Sequence, residues 1–211
     1  MKSFVFYILM LLIFLHTDFS CKIFKPPEPN PEIDWSEVKD GLRFRIWTDK
    51  KVYTPGEEIT LNVQFQNAGD QSKVILVSPE NQIYYDLQSP LYDIERLLCY
   101  PENSSTPVEY FPLEANIFQV IPLFQKIESG HTYLESTVLD SSSLWVEYSD
   151  IWTGERKTFA LTPGNYVLRA IYHWDELPYD IPERRRELQE LGAPLWLGEL
   201  ESNPIAIEIR L

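Results

Sequence analysis

Ile59-Thr60-Leu61-Asn62-Val63-Gln64-Phe65-Gln66 alternates apolar and polar residues along its whole length. Side chains of a strand point to opposite faces with period two, so this stretch predicts a strand with one buried and one hydrated face. Asn67-Ala68-Gly69-Asp70 follows and predicts a turn, because Asn, Gly and Asp supply or tolerate the dihedrals of a chain reversal. Outward from there the period recurs. Leu42, Phe44 and Ile46 alternate with Arg43 and Arg45. Lys73–Ser78, Gln82–Gln88, Val108–Phe111, Phe118–Phe124, Thr132–Leu139 and Leu144–Tyr148 are expected as further strands. Tyr166, Leu168, Ala170 and Tyr172 alternate with Asn165, Val167, Arg169 and Ile171, and apolar residues on both faces make that strand central. Ile205, Ile207, Ile209 and Leu211 close the chain with the same period. Many short strands separated by turn signals predict an all-β fold, a sandwich or a barrel.

One segment departs from this period. In Ile181–Gly192, Pro182 stands near a helix start, Leu188 and Leu191 are three apart, and Gly192 is a stop signal, so a short helical insertion is expected before the last strands. Its Arg184-Arg185-Arg186 run lies where the helix dipole disfavours positive charge. A solvated face paired with acidic residues is expected there, with Arg186 and Glu190 paired at i,i+4; a small anion-binding patch is the functional alternative.

The N-terminus carries an address. Lys2 precedes an apolar run, Phe4–Leu15, and a polar patch, His16-Thr17-Asp18, which is the order of a secretory signal. The run is shorter than the ~20 residues a spanning helix needs. The junction Asp18-Phe19-Ser20-Cys21 resembles a bacterial lipobox, in which a small residue precedes an acylated cysteine; Ser20 matches, and Asp18 stands where that pattern carries leucine. The resemblance implies lipidation of Cys21, with cleaved secretion and an uncleaved anchor as alternatives. Pro26, Pro27, Pro29 and Pro31 then favour an extended spacer, and at ~3.1 Å per residue Cys21–Ile33 reaches ~40 Å. The expected organisation is a signal peptide over residues 1–20, a lipidated cysteine and tether over 21–34, and one β domain over 35–211. The membrane is then a partner through the Cys21 anchor, and the location is the bacterial cell envelope.

Loss of residues 1–20 removes Lys2 and Asp18, so the net charge stays at −14. An acidic chain argues against nucleic-acid binding and against a charge-driven grip on anionic lipid. With two cysteines in all, acylation of Cys21 leaves Cys99 without an intrachain partner; without acylation a Cys21–Cys99 bridge is open. Leu97-Leu98-Cys99-Tyr100 predicts a buried, inert thiol.

Two motifs carry a family resemblance. Thr48–Leu61, with Tyr53-Thr54-Pro55-Gly56-Glu57 at its centre, resembles the opening of bacterial immunoglobulin-like domains of macroglobulin type. Leu161-Thr162-Pro163-Gly164-Asn165-Tyr166-Val167-Leu168 resembles the tyrosine-corner approach to a strand of such domains, with Leu168 where antibody domains carry cysteine. The resemblance implies an immunoglobulin-like β-sandwich with an enlarged middle region and the short helical insertion. It implies no activity, because this sandwich hosts many roles.

No HExxH, CxxC, GxSxG or phosphate-cradling glycine loop is present. No catalytic residue, metal ligand or cofactor is assigned. Tyr172, Trp174, Tyr179 and Trp196 flank the helical insertion, and aromatic side chains at the end of a sandwich serve as binding anchors. His173, Trp174, Tyr179 and Trp196 are therefore the candidate binding residues. The expected function is a non-enzymatic binding or accessory lipoprotein with an envelope protein as partner. A protease-inhibitor-like module, using a loop such as Pro101–Pro107, and an envelope enzyme with a dispersed site are the alternatives.

Overall fold

The computed structural model describes residues 34–77, 96–102, 104–105, 107–111, 122–139, 144–148, 156–159, 161–177 and 180–211. The leader, Cys21, the proline-rich stretch, the expected strand Gln82–Gln88 and Tyr179 lie outside the described residues.

Thirteen strands and one helix make up the described chain, which is all-β apart from that helix. In order they are β1 (Leu42–Thr48), β2 (Val52–Tyr53), β3 (Ile59–Asn67), β4 (Lys73–Val77), β5 (Arg96–Pro101), β6 (Val108–Phe111), β7 (Leu123–Ile127), β8 (Thr132–Leu139), β9 (Leu144–Tyr148), β10 (Arg156–Phe159), β11 (Gly164–Trp174), α1 (Pro182–Leu191), β12 (Gly198–Glu201) and β13 (Ile205–Ile209). Three sheets result. One runs β1-β3-β8, one pairs β4 with β7, and the largest runs β10-β9-β6-β5-β11-β13-β2, with β12 on the far half of β11. All pairs are antiparallel except β13 with β2.

The alternation in β3 decides its placement. Ile59, Leu61, Val63 and Phe65 are buried, and they meet Leu42, Phe44 and Ile46 of β1 on the same face. From the large sheet, Leu97, Cys99, Tyr166, Leu168, Ala170, Tyr172 and Ile207 join the same cluster. Phe65 stacks on Phe44 at 5.4 Å and meets Tyr172 edge-on at 4.9 Å, in the offset geometries that ring quadrupoles favour. The Tyr172 hydroxyl donates to the Leu76 carbonyl and accepts the Leu76 amide at 3.0 Å, so one side chain ties all three sheets together.

Turns follow the local chemistry. Thr54-Pro55-Gly56-Glu57 closes with Glu57 N–H to the Thr54 carbonyl at 3.0 Å, and Gly56 takes the positive φ that such a Pro-Gly turn needs. Asp40 and Gly41 both have positive φ and return the chain so that Lys39 and Leu42 exchange two backbone bonds. The segment before β1 is thereby folded along its outer edge. Leu42 exchanges bonds with Lys39, Phe44 with Ser36, and Ile46 with the Asn203 amide.

Several expectations are corrected. Of the strand expected at Phe118–Phe124, residues 118–121 lie outside the described residues, and the described strand there runs Leu123–Ile127 in register with β4. Arg96–Pro101 is a full strand beside β11. Its run Leu97-Leu98-Cys99 is buried on both faces and so lacks the alternation that marks a half-buried strand. The helix forms with Pro182 in its first turn and Gly192 as a left-handed cap. Its arginines do not share one solvated face. Arg184 is 6% exposed, donates to the Pro122 carbonyl and Glu187, and lies 3.8 Å from the Phe124 ring centroid. Arg185 forks onto Asp180. Among the described residues Glu187 and Asp180, rather than Glu190, pair with the run, because the helix packs the Arg184 side against β7.

Candidate functional site

Two of the candidate binding residues, His173 and Trp174, stand where β11 ends. Antiparallel register sets Tyr172 opposite Leu200, His173 opposite Glu199 and Trp174 opposite Gly198. Period two sends Tyr172 into the core and His173 outward. His173 Nε2 lies 2.9 Å from Asp175 Oδ1, whose side chain is 82% exposed. Trp174 is partly buried against the core. His173 and Trp174 are adjacent on one strand and thus on opposite faces, so only the strand's end brings both toward solvent.

Trp196 is not part of an exposed patch. It is 2% exposed, sits 5.6 Å from the Tyr172 ring and donates its indole N–H to the Lys39 carbonyl at 3.1 Å. Both ends of its amphipathic ring are satisfied inside the molecule, which is why it packs rather than displays. Gly198 has φ +140°, and a Cβ there would meet the Trp196 ring at 3.3 Å, so the indole also restricts what can follow it in β12. Around Trp196, Leu197 is exposed at the surface.

A concavity lies at the opposite end of β11. Lys51, Val52, Tyr100, Glu102, Asn165 and Glu208 are among the residues that line a groove of about 660 Å³. Asn165 and Glu102 bond to each other there through both backbone and side chains, at 2.8 Å each. Eight residues of extended chain separate Asn165 from His173, or ~26 Å at ~3.3 Å each, so the two regions are separate surfaces.

Cys99 is fully buried beside Leu168 in the register of β5 and β11, and it carries no disulfide. Burial pushes its thiol well above the ordinary range, which removes the thiolate that nucleophilic or redox chemistry requires. No cluster of three metal-ligating side chains occurs among the described residues.

A third feature escaped the sequence reading. Trp35 lies under two guanidinium groups, Arg43 at 4.8 Å and Arg45 at 4.3 Å, on the outer face of β1. Arg43 Nε donates to Gln66 at 2.8 Å, and Arg45 donates twice to Gln64. Burial, and then the neighbouring Arg43 charge, pull the Arg45 guanidinium below its ordinary value. The spacing Arg43-x-Arg45-x-Trp47 was the available signal, since these three share one face of a strand. Nothing in local sequence placed Trp35 beneath them.

No family model matches the chain, and no curated protein sequence matches it. Among solved structures it is similar to a β-glucosidase from Erythrobacter marinus, at 12% identity and TM-score 0.35 over 80% of this chain and 15% of that one. It is also similar to a mutant β-glucosidase from Listeria innocua in complex with laminaribiose, at 12% identity and TM-score 0.36 over 83% of this chain and 17% of that one. A Listeria innocua β-glucosidase in complex with gluconolactone matches at 12% identity and TM-score 0.35, over 89% and 20%. The chain thus spans a fifth or less of the length of these enzymes, and likeness at this level fixes neither fold nor activity.

Proposed function

We propose that this protein is an exported, membrane-tethered binding module of the bacterial cell envelope, built as an immunoglobulin-like β-sandwich and anchored through Cys21. The junction between tether and domain carries the reading. Leader-like residues, Cys21 and a proline-rich stretch come in the order of a lipoprotein, and they run directly into a point of firm attachment. There Trp35 stacks under Arg43 and Arg45, and Ser36 exchanges bonds with Phe44.

The sandwich assignment is supported by the hydroxyl of Tyr166, which donates to the Thr162 carbonyl at 2.7 Å. A tyrosine reaching back to backbone just upstream is the corner that immunoglobulin-like sandwiches use. Leu168, two residues on, is fully buried against Cys99 rather than disulfide-bonded. The end of β11, with His173 and Trp174, supplies a surface for an envelope protein partner.

The test is fractionation of cells expressing the full chain or Cys21→Ser, with palmitate labelling. Labelled, membrane-bound protein that becomes unlabelled and soluble on substitution is the expected result. A full chain that takes up no palmitate label overturns the lipid anchor.

A further inference from the structure

A sheet edge is a row of unpaired N–H and C=O groups, which proteins normally blunt or cover. In the β1-β3-β8 sheet, β1 is covered at Leu42, Phe44 and Ile46 by Lys39, Ser36 and Asn203. The outer edge of β4 is treated alike. Val74 exchanges bonds with the segment Pro194–Trp196, and Leu76 with the Tyr172 hydroxyl.

Along β8 no such cover is found among the described residues. Its odd-numbered residues Tyr133, Glu135, Thr137 and Leu139 stand opposite the core-facing residues of β3, in continuity with the Asn67 N–H bond to the His131 carbonyl. Antiparallel alternation therefore turns the backbone groups of Thr132, Leu134, Ser136 and Val138 away from β3. Among the described residues no backbone bond meets them. The strand is eight residues long, contains no proline or lysine, and carries a single charge, Glu135. The Glu135 carboxylate accepts from the Tyr133 hydroxyl at 3.1 Å.

We infer that the β8 edge takes an extended segment of a partner protein as an added strand, with a lysine or arginine of that segment set against Glu135. Charge selects this occupant over a second copy of the chain. Two copies paired about a two-fold axis at the middle of β8 would set their Glu135 carboxylates opposite each other or on a diagonal, and like charges there destabilise the pair. Each copy also carries a net charge of −14. A basic side chain in that place gains instead, while backbone bonds supply affinity and alternate side chains supply selectivity. The inference takes from the binding-module reading only that a partner exists, and it does not depend on acylation of Cys21.

The test uses the full chain in detergent micelles, against a displayed library of random linear peptides. Enriched peptides are expected to alternate small or β-branched residues and to carry one basic residue. N-methylation of alternate peptide residues, those whose N–H faces β8, is expected to abolish binding, while N-methylation of the intervening residues leaves it within about twofold. Glu135→Lys is expected to weaken binding about tenfold, equivalent to ~1.4 kcal/mol, and to favour peptides carrying glutamate. Absence of enrichment, or enriched peptides indifferent to the N-methylation pattern, overturns the inference and leaves the lipid anchor standing. Dimerisation of the chain that Val138→Pro abolishes also overturns it, by assigning the edge to a second copy.

Discussion

Along β1, the six outward backbone groups of Leu42, Phe44 and Ile46 all have partners, and none of those partners belongs to a strand of the sheet. Along β8, two strands away, the matching groups of Thr132, Leu134, Ser136 and Val138 meet no backbone partner among the described residues. Both strands frame the same β3 and feed the same core. Burial alone therefore does not finish an edge. The finished edge uses a hairpin at Asp40-Gly41 to lay Ser36 and Lys39 alongside, and an asparagine amide that imitates a peptide group. An amide side chain carries its acceptor and its donors on separate atoms, so Asn203 meets the N–H and the C=O of Ile46 at once as a neighbouring peptide group would.

The largest effect is expected where the finished edge is opened inside the core. Asn203→Ala leaves the N–H and C=O of fully buried Ile46 without partners, and each orphaned group costs about 1–3 kcal/mol. A loss of about 2–6 kcal/mol is expected by urea denaturation, with Val138→Thr on the β8 edge changing stability by less than about 0.5 kcal/mol. Equal effects of the two substitutions would erase the distinction between the edges. Ser36→Ala removes one acceptor, for the Phe44 amide, and keeps the backbone bond to the Phe44 carbonyl. About 1 kcal/mol is expected in the same measurement.

A smaller effect concerns the turn that leads from β2 to β3. The hydrogen bond from Lys50, and then the Thr54 N–H, hold the Glu57 carboxyl below its ordinary value. A depressed carboxyl contributes stability above its unfolded-state value and loses it as the pH falls through the folded one. Glu57→Gln should therefore lower the melting temperature at pH 7 and approach the parent protein below about pH 4. A melting-temperature gap independent of pH would show that the carboxylate plays no such part.

How far these features could be read in advance depends on their range. The alternation of β3 and β11 and the helix with its Pro182 start and Gly192 stop were legible, because each is set by residues a few positions apart. Arg96–Pro101 was not legible as a strand, since a run buried on both faces carries no period. Asp40-Gly41 was an available hairpin signal that the periodic reading passed over. At the candidate site, His173 and Trp174 follow from their strand, whereas Trp196, expected as a surface anchor, lies in the core. An indole's composition does not say which of its ends meets water. That depends on the Lys39 carbonyl, on Tyr172 and on Gly198, which are remote from Trp196 or act only through folding.

Period, turn chemistry and charge thus settle in the chain itself that the domain is made of strands, that β3 hides one face and that the surface is acidic. These are one-dimensional properties, since each depends on neighbours along the backbone. Which arginine of the Arg184-Arg185-Arg186 run is buried, which tryptophan closes the core and how the β1 edge is covered arise only on folding. Each of them rests on a hydrogen-bond partner far away in the chain, as Asn203 lies 157 residues from Ile46, and no local pattern records such a pairing.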